Sequence, residues 1–205
     1  MSVTSIVAAD EVELTEAPAS PVDVVAAQRA AADLLVAIGA DPDSESLRDT
    51  PRRIAAAYAE LLNARPFTPT SFPNDSDYSG PVVVSGIPFT SLCEHHLLPF
   101  IGQATVGYLP GARLLGLSKL AHVVEHFARR LQVQERMTAQ IAHWLDDELA
   151  PEGVGVIVSA EHSCMTMRGA KARGATTTTS MFLGQLRDDP AARAAFREAV
   201  GTVTA

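Results

Sequence analysis

The only two cysteines of the chain both have histidine neighbours. Cys93 precedes His96 by three positions, and Cys164 follows His162 by two. Thiolate and imidazole are preferred zinc ligands, and zinc sites in proteins are usually tetrahedral. If Cys93, His96 and Cys164 bind one ion, a fourth coordination position is left for water or substrate. That open position distinguishes a catalytic zinc site from a structural one, so the pattern predicts a zinc-dependent enzyme.

Two buried free thiols with incidental histidine neighbours are the alternative interpretation, because free cysteine often packs as a small apolar side chain. A disulfide fits less well with the rest of the sequence. The first 20 residues are acidic and lack the basic start of a secretory signal, and no apolar run reaches the length of a membrane span. We therefore expect a cytoplasmic protein, in which thiols stay reduced.

The bulk charge of the chain argues against two classes of partner. Its 205 residues carry a formal net charge of -8, with a sequence pI near 5.2. A general nucleic-acid or membrane-surface binder would be basic, so we expect neither partner. An anionic ligand would need local cations. Ser118 and Lys119, at the start of a predicted helix, suit a phosphate, although a simple helix cap with a solvated lysine is commoner. Arg168 opens a basic loop, for which solvation is the default interpretation.

Two histidines near the cysteines are left outside the predicted ligand set. His95 is expected to point away from His96, and His162 is expected to share one face of a strand with Cys164. A neutral imidazole beside a metal can transfer protons near neutral pH. It can equally hold the metal ligands in place, and the sequence leaves both roles open.

The elements that position these residues follow from the spacing of apolar side chains. Residues 1–20 lack periodicity and are interpreted as a flexible acidic tail, and residues 21–80 as a helical arm with a linker. Residues 81–205 form the domain that carries the chemistry. The patterns predict helices at 22–38, 51–63, 117–131, 133–149 and 187–200, and strands at 82–84, 101–108, 154–164 and 176–179. Cys93 and His96 are expected in a turn, because residues three apart face opposite sides of a flat strand.

Four segments together resemble GTP cyclohydrolase I. They read SLCEHHLLP at 91–99, GLSKL at 116–120, QVQER at 132–136 and HSCMTMRG at 162–169. The resemblance runs from about residue 26 to residue 200, and the combination is far more specific than any one motif. It implies an α+β tunnelling fold over residues 81–205, with an antiparallel sheet and two antiparallel helices on one side. It also implies a decamer of two stacked pentameric rings, with active sites at subunit interfaces.

The resemblance further implies a role for each candidate residue. It implies Zn2+ bound by Cys93, His96 and Cys164, and proton transfer by His95 and His162. The substrate-binding residues that it implies are Gln134 and Glu135 for the purine, Ser118, Lys119 and Arg168 for the triphosphate or ribose, and Arg53 for the phosphates. As an acceptor-only carboxylate, Glu135 suits the N1–H and 2-amino donors of guanine and would reject adenine.

The implied reaction opens the imidazole ring of GTP, releases C8 as formate and rearranges the remainder to 7,8-dihydroneopterin triphosphate. One residue departs from the family pattern: His122 stands where an arginine is usual. Because imidazole is only partly charged near neutrality, we expect weaker triphosphate binding that strengthens as the pH falls toward about 6. A zinc-containing nucleotide-binding paralogue with altered or lost turnover is the main alternative. A related tunnelling-fold enzyme acting on a pterin or deazapurine is another, although it would not need the full set of residues.

Overall fold

The computed structural model of the chain describes residues 22–64 and 66–201. The predicted tail at 1–20 lies outside the described residues, as does Arg65 at the start of the predicted linker. The helices are α1 (Val24–Ala37), α2 (Thr50–Leu61), α3 (Leu117–Ala128), α4 (Gln134–Leu149), α5 (Ser163–Thr166), α6 (Gln185–Asp188) and α7 (Pro190–Gly201). The strands are β1 (Ser71–Pro73), β2 (Val82–Cys93), β3 (Pro99–Leu109), β4 (Arg113–Leu115), β5 (Leu131–Gln132), β6 (Gly153–His162) and β7 (Thr177–Gly184).

The main sheet of the described residues has the strand order β5-β2-β3-β6-β7. The pairs β2–β3, β3–β6 and β6–β7 are antiparallel, whereas the two-residue β5 runs parallel to the end of β2. Helices α3 and α4 pack on one face of this sheet and form the core with it. Fully buried core side chains include Phe100, Tyr108, Leu120, Ile141 and Val156. The α+β tunnelling-fold prediction is confirmed.

The opposite face of the sheet is covered by α7 through one aromatic ring. Phe196 is fully buried against Gly107 and Gly155, which are register partners across β3 and β6. A Cβ atom built at Gly155 would lie 2.7–3.0 Å from the ring atoms of Phe196. These two glycines therefore make room for the ring in the middle of the sheet.

The N-terminal arm is a hairpin of α1 and α2. The Asp23 side chain caps α1 by accepting a hydrogen bond of 2.9 Å from the Ala26 amide. Pro51 lies in the first turn of α2, where its missing N–H costs no helical hydrogen bond. The hydroxyl of Tyr58 on α2 donates to the carbonyl of Leu97, 3.1 Å away, and so ties the arm to the loop after β2.

Several element boundaries differ from the sequence predictions. Strand β2 extends to Cys93, and β1 occupies part of the predicted linker and pairs with β4. Leu131 belongs to β5 instead of α3. The predicted C-terminal helix is divided before Pro190, which cannot donate to a preceding turn. Within 22–64 and 66–201, none of the helices has the length and apolar character that a membrane span requires.

Candidate active site

Three potential metal ligands converge where β2 and β6 end. Cys93 is the last residue of β2, His96 lies in the turn that follows, and Cys164 lies in α5 directly after β6. Strand β3 lies between β2 and β6 and pairs with both, which brings the two strand ends to the same edge region. One ligand atom from each residue lies within 4.8 Å of the others.

The geometry of this Cys–His–Cys cluster fits a zinc ion. The Sγ atom of Cys93 lies 3.6 Å from Nδ1 of His96. Zinc–sulfur and zinc–nitrogen bonds of about 2.3 and 2.0 Å at a tetrahedral angle place the two ligand atoms about 3.5 Å apart, close to the observed separation. Both cysteines are free thiols in the structure, as thiolate ligands of a metal require.

The second cysteine is placed differently from the sequence prediction. Strand β6 ends at His162, and Cys164 lies in the short helix α5. The prediction that the two side chains share one strand face is therefore wrong. The helical turn carries Cys164 toward Cys93. Burial raises the pKa of the Cys164 thiol, and the adjacent Cys93 sulfur adds to the rise, whereas Arg168 acts in the opposite direction. A bound divalent cation would favour the thiolate instead.

The turn that carries His96 is held by its own backbone. The amide of Cys93 donates to the Leu98 carbonyl at 2.9 Å, and the amide of Leu97 donates to the Cys93 carbonyl at 2.8 Å. Leu97 has a φ of 53°, a left-handed conformation that is costly for a residue with a Cβ. The hydrogen bond from Tyr58 to the Leu97 carbonyl stabilises this conformation from the arm.

His162 is fixed by one ring and one amide. Its imidazole stacks on Phe100, with ring centroids 4.6 Å apart and planes 2° from parallel, and its Nε2 lies 2.8 Å from Oε1 of Gln134. The amide nitrogen of Gln134 donates to the carbonyls of Val158 and Thr177 at 3.1 and 3.0 Å. Because carbonyls can only accept, the oxygen of Gln134 must face the imidazole. Nε2 of His162 therefore donates, and Nδ1 is the nitrogen left to accept a proton.

Glu135 and Arg168 lie close to this centre with exposed side chains. Burial lowers the pKa of His162, and the negative charge of Glu135 opposes that shift without cancelling it. The lowered pKa favours the neutral imidazole. Gln134, which is 1% exposed, uses its amide atoms inside the chain, whereas the Glu135 carboxylate remains available to a ligand.

A side-chain ion pair also connects the turn between Cys93 and His96 to α4. The Arg136 guanidinium pairs with the Glu94 carboxylate, whose other oxygen lies 3.9 Å from Nε2 of His95. The His95 and His96 rings meet edge to face, with planes 81° apart. The Nδ1 atoms of both rings lie within 4 Å of Sγ of Cys93, so the expectation that His95 points away from His96 is wrong. Glu94 and Arg136 have no role among the residues predicted from the sequence. Both lie inside motifs that carried the resemblance, and that position was the available signal.

The predicted phosphate-binding residues on α3 lie away from the metal ligands of the same chain. Helix α3 begins near Leu115, whose amide donates a hydrogen bond to the Tyr108 hydroxyl at the far end of β3. The helix ends just before β5, and β5 pairs with the end of β2 that carries Cys93. Ser118 and Lys119 are about ten residues from the end of α3, a separation of about 15 Å along the helix axis. A single chain therefore does not bring them to the Cys–His–Cys cluster.

His122 and Arg53 also have local surroundings of their own. His122 is exposed and meets Phe67 edge to face at 5.9 Å, and it lines two cavities of about 560 and 160 Å³. Arg53 on α2 is 66% exposed and pairs with Asp49 one helical turn away at 3.4 Å. Neither residue belongs to the group at the strand ends.

The comparisons with known proteins identify the family. The family model described as GTP cyclohydrolase I matches residues 27–201. A protein of Allorhizobium ampelinum named GTP cyclohydrolase 1 is 51% identical over 168 residues, which cover 80% of this chain and 84% of that protein. Proteins of the same name from Sinorhizobium fredii and Mycobacterium ulcerans are 48% and 50% identical, over 83% and 82% of this chain and 85% and 86% of their own lengths. The chain belongs to the GTP cyclohydrolase I family.

Proposed function

We propose that the protein converts GTP to 7,8-dihydroneopterin triphosphate and formate with zinc as its cofactor. The observation that carries the proposal is the Cys93, His96 and Cys164 cluster, whose spacing fits a zinc ion and leaves a coordination position open. The relatives that share about half of the sequence carry the name GTP cyclohydrolase 1. When bound, zinc would supply an activated water near neutral pH.

The chain's own residues suit the other tasks of this reaction. The exposed Glu135 carboxylate would accept from N1–H and the 2-amino group of guanine, which adenine cannot offer as a pair. His162 presents Nδ1 as an acceptor in an orientation fixed by Gln134, so it can take up a proton and return it at a later step. His95 would serve as the second proton-transfer group, and Arg168 would contact the phosphates or ribose.

We also propose that the active site is completed by other copies of the chain. Four residues predicted to bind the triphosphate are not grouped with the metal ligands of their own chain. They are Ser118, Lys119 and His122 on α3, and Arg53 on the arm. If they bind the triphosphate, neighbouring subunits must supply them. This requirement supports the decamer of two stacked pentamers that the family resemblance implies. We further propose the division into an arm at 21–80 and a catalytic domain at 81–205, and a cytoplasmic location.

The test is a turnover assay on zinc-loaded protein. GTP is supplied, formate is quantified, and the pterin is detected by its fluorescence after oxidation. We expect turnover in the wild type, loss of zinc and activity in Cys164→Ser, and loss of activity with zinc retained in His162→Ala. Tight GTP binding without formate in the wild type would reject the proposal and favour a nucleotide-binding paralogue.

A further inference from the structure

We propose that Arg136 and Glu94 act together as positioning residues for His95. The inference rests on the proposed function, because it assigns a device that orients one of its proton-transfer histidines. Arg136 lies on α4, Glu94 and His95 lie in the turn after β2, and the ion pair between Arg136 and Glu94 connects the two elements.

The Arg136 guanidinium is held at a fixed place by several acceptors. Its Nε donates to Oε1 of Gln132 at 3.1 Å, and its Nη2 donates to the Leu131 carbonyl at 3.0 Å as well as to Glu94. Gln132 is 1% exposed, and its amide nitrogen donates to the Phe127 carbonyl and to Oε1 of Gln140, both at 2.9 Å. The guanidinium fork is therefore attached to a rigid, buried amide, and only 26% of the Arg136 side chain is exposed.

Glu94 is placed from its backbone and from its side chain. Its amide donates to the Gln132 carbonyl at 3.0 Å, which continues the parallel pairing of β2 with β5. One carboxylate oxygen pairs with Arg136, and the other lies 3.9 Å from Nε2 of His95. The opposite ring nitrogen of His95, Nδ1, lies 3.9 Å from Sγ of Cys93. The imidazole thus lies between a carboxylate and a metal-ligand sulfur.

The exposure of His95 explains why a contact from α4 is needed to orient its ring. The His95 side chain is 64% exposed, so little packing holds its ring. A carboxylate on a free turn would change rotamer easily, whereas a carboxylate bound by an arginine fork has a preferred direction. Arg136 supplies that direction to Glu94, and Glu94 in turn favours one orientation of the imidazole.

The first turn of α4 then serves both proton-transfer histidines. Gln134 binds His162 directly, and Arg136 reaches His95 through Glu94. Glu135, between them in sequence, keeps its carboxylate exposed for the substrate. One rigid helical turn therefore fixes the two histidines relative to the proposed purine-binding carboxylate.

A double-mutant cycle tests the proposal on the full-length, zinc-loaded protein. The variants are Arg136→Met, Glu94→Ala and the two combined, with Arg187→Met and Asp188→Ala as the matched exposed ion pair. Because a misplacement near 1 Å can cost about 100-fold, we expect each site variant to lower kcat roughly 10- to 100-fold, with the KM for GTP nearly unchanged. The double variant should be no worse than the poorer single variant. The control pair should keep wild-type kcat.

A second measurement does not depend on turnover. Hydrogen–deuterium exchange of a peptide spanning 91–99 should be faster in Arg136→Met and Glu94→Ala, with zinc content unchanged by elemental analysis. Unchanged exchange, additive losses of kcat in the double variant, or a loss of zinc would each overturn the positioning role. Arg136→Lys, which keeps the charge without the fork, should recover only part of kcat. If the wild type forms no formate, the proposed function fails, and the exchange data alone decide whether this ion pair holds the turn.

Discussion

Replacing Gln134 with methionine separates two roles that the residue could have. The family resemblance implies that Gln134 helps to hold the purine, whereas the structure commits its amide to the protein and to His162. Gln134→Met keeps the volume of the buried side chain and removes both polar atoms. If the side chain positions His162, kcat should fall with little change in the KM for GTP. If it binds the purine, the loss should appear mainly in KM.

The expected magnitudes follow from the hydrogen bonds of Gln134. Its amide nitrogen donates to the Val158 and Thr177 carbonyls and to Oγ1 of Thr179. Thr179 keeps a second hydrogen-bond partner in Thr138 at 2.7 Å. The variant therefore affects the Val158 and Thr177 carbonyls more than it affects Thr179. At about 1 kcal/mol for each lost bond, the free energy of unfolding should fall by about 2–3 kcal/mol.

The catalytic loss has an upper limit set by general acid–base chemistry, about 100- to 10,000-fold. Phe100 still stacks on His162 in the variant, so the ring plane is retained while its in-plane rotation and tautomer are released. We therefore expect kcat to fall roughly 10- to 100-fold, within that limit.

The assay measures kcat and KM for GTP by formate release, together with the midpoint of chemical denaturation. Thr138→Val is the matched control, because it alters the same buried group without contacting His162. It should lower stability and leave kcat within about threefold of the wild type. A Gln134→Met enzyme whose KM rises tenfold while kcat is preserved would refute the positioning argument.

Three further predictions concern the metal and the phosphates. Cys164→Ser should abolish stoichiometric zinc binding, measured by elemental analysis after dialysis, and full zinc retention would contradict the ligand assignment. Because burial raises the pKa of the Cys164 thiol, which must ionise to bind zinc, zinc affinity measured by chelator competition should weaken as the pH falls, and a flat profile from pH 8 to 6 would contradict this. His122→Arg should lower the KM for GTP several-fold with kcat unchanged, and an unchanged KM across pH 6–8 would remove His122 from the phosphate site.

The sequence predicted which candidate metal ligands come together, but not the element that carries one of them. The spacing of cysteine and histidine selected Cys93, His96 and Cys164 as candidate ligands, and the structure places one ligand atom of each within 4.8 Å of the others. Alternation along 154–164 suggested a continuous strand. The chain instead turns into α5 at Ser163, and this turn places Cys164 near Cys93. The alternation along 154–162 is confirmed as strand β6, and the prediction is wrong only for its last two residues.

The contacts of Gln132 and Arg136 were not predictable from the sequence, because they depend on pairing between segments that are remote along the chain. Strand β5 has two residues, too few for any periodic signal, and Leu131 fitted the apolar spacing of α3. Its parallel pairing with the end of β2 places Gln132 beside Cys93 and lets Arg136 reach Glu94. No pattern within either segment encodes that distance. The resemblance marked both segments, and only the fold relates them.

The position of the candidate metal ligands at the strand ends fits the proposal that neighbouring copies complete the site. Metal ligands and proton-transfer histidines need sub-ångström placement, which strand ends and the first turn of a helix on the same sheet provide. A triphosphate extends the substrate well beyond the reacting ring and requires several cations, yet the chain has a net charge of -8. Ser118 and Lys119 lie about 15 Å along α3 from the helix end that precedes β5. In the proposed assembly, neighbouring copies supply those cations and so gather them locally around a highly anionic substrate. It follows that variants at Lys119 should be complemented in mixed oligomers by variants at Cys164, since each would spoil a different site and leave some sites with both residues intact.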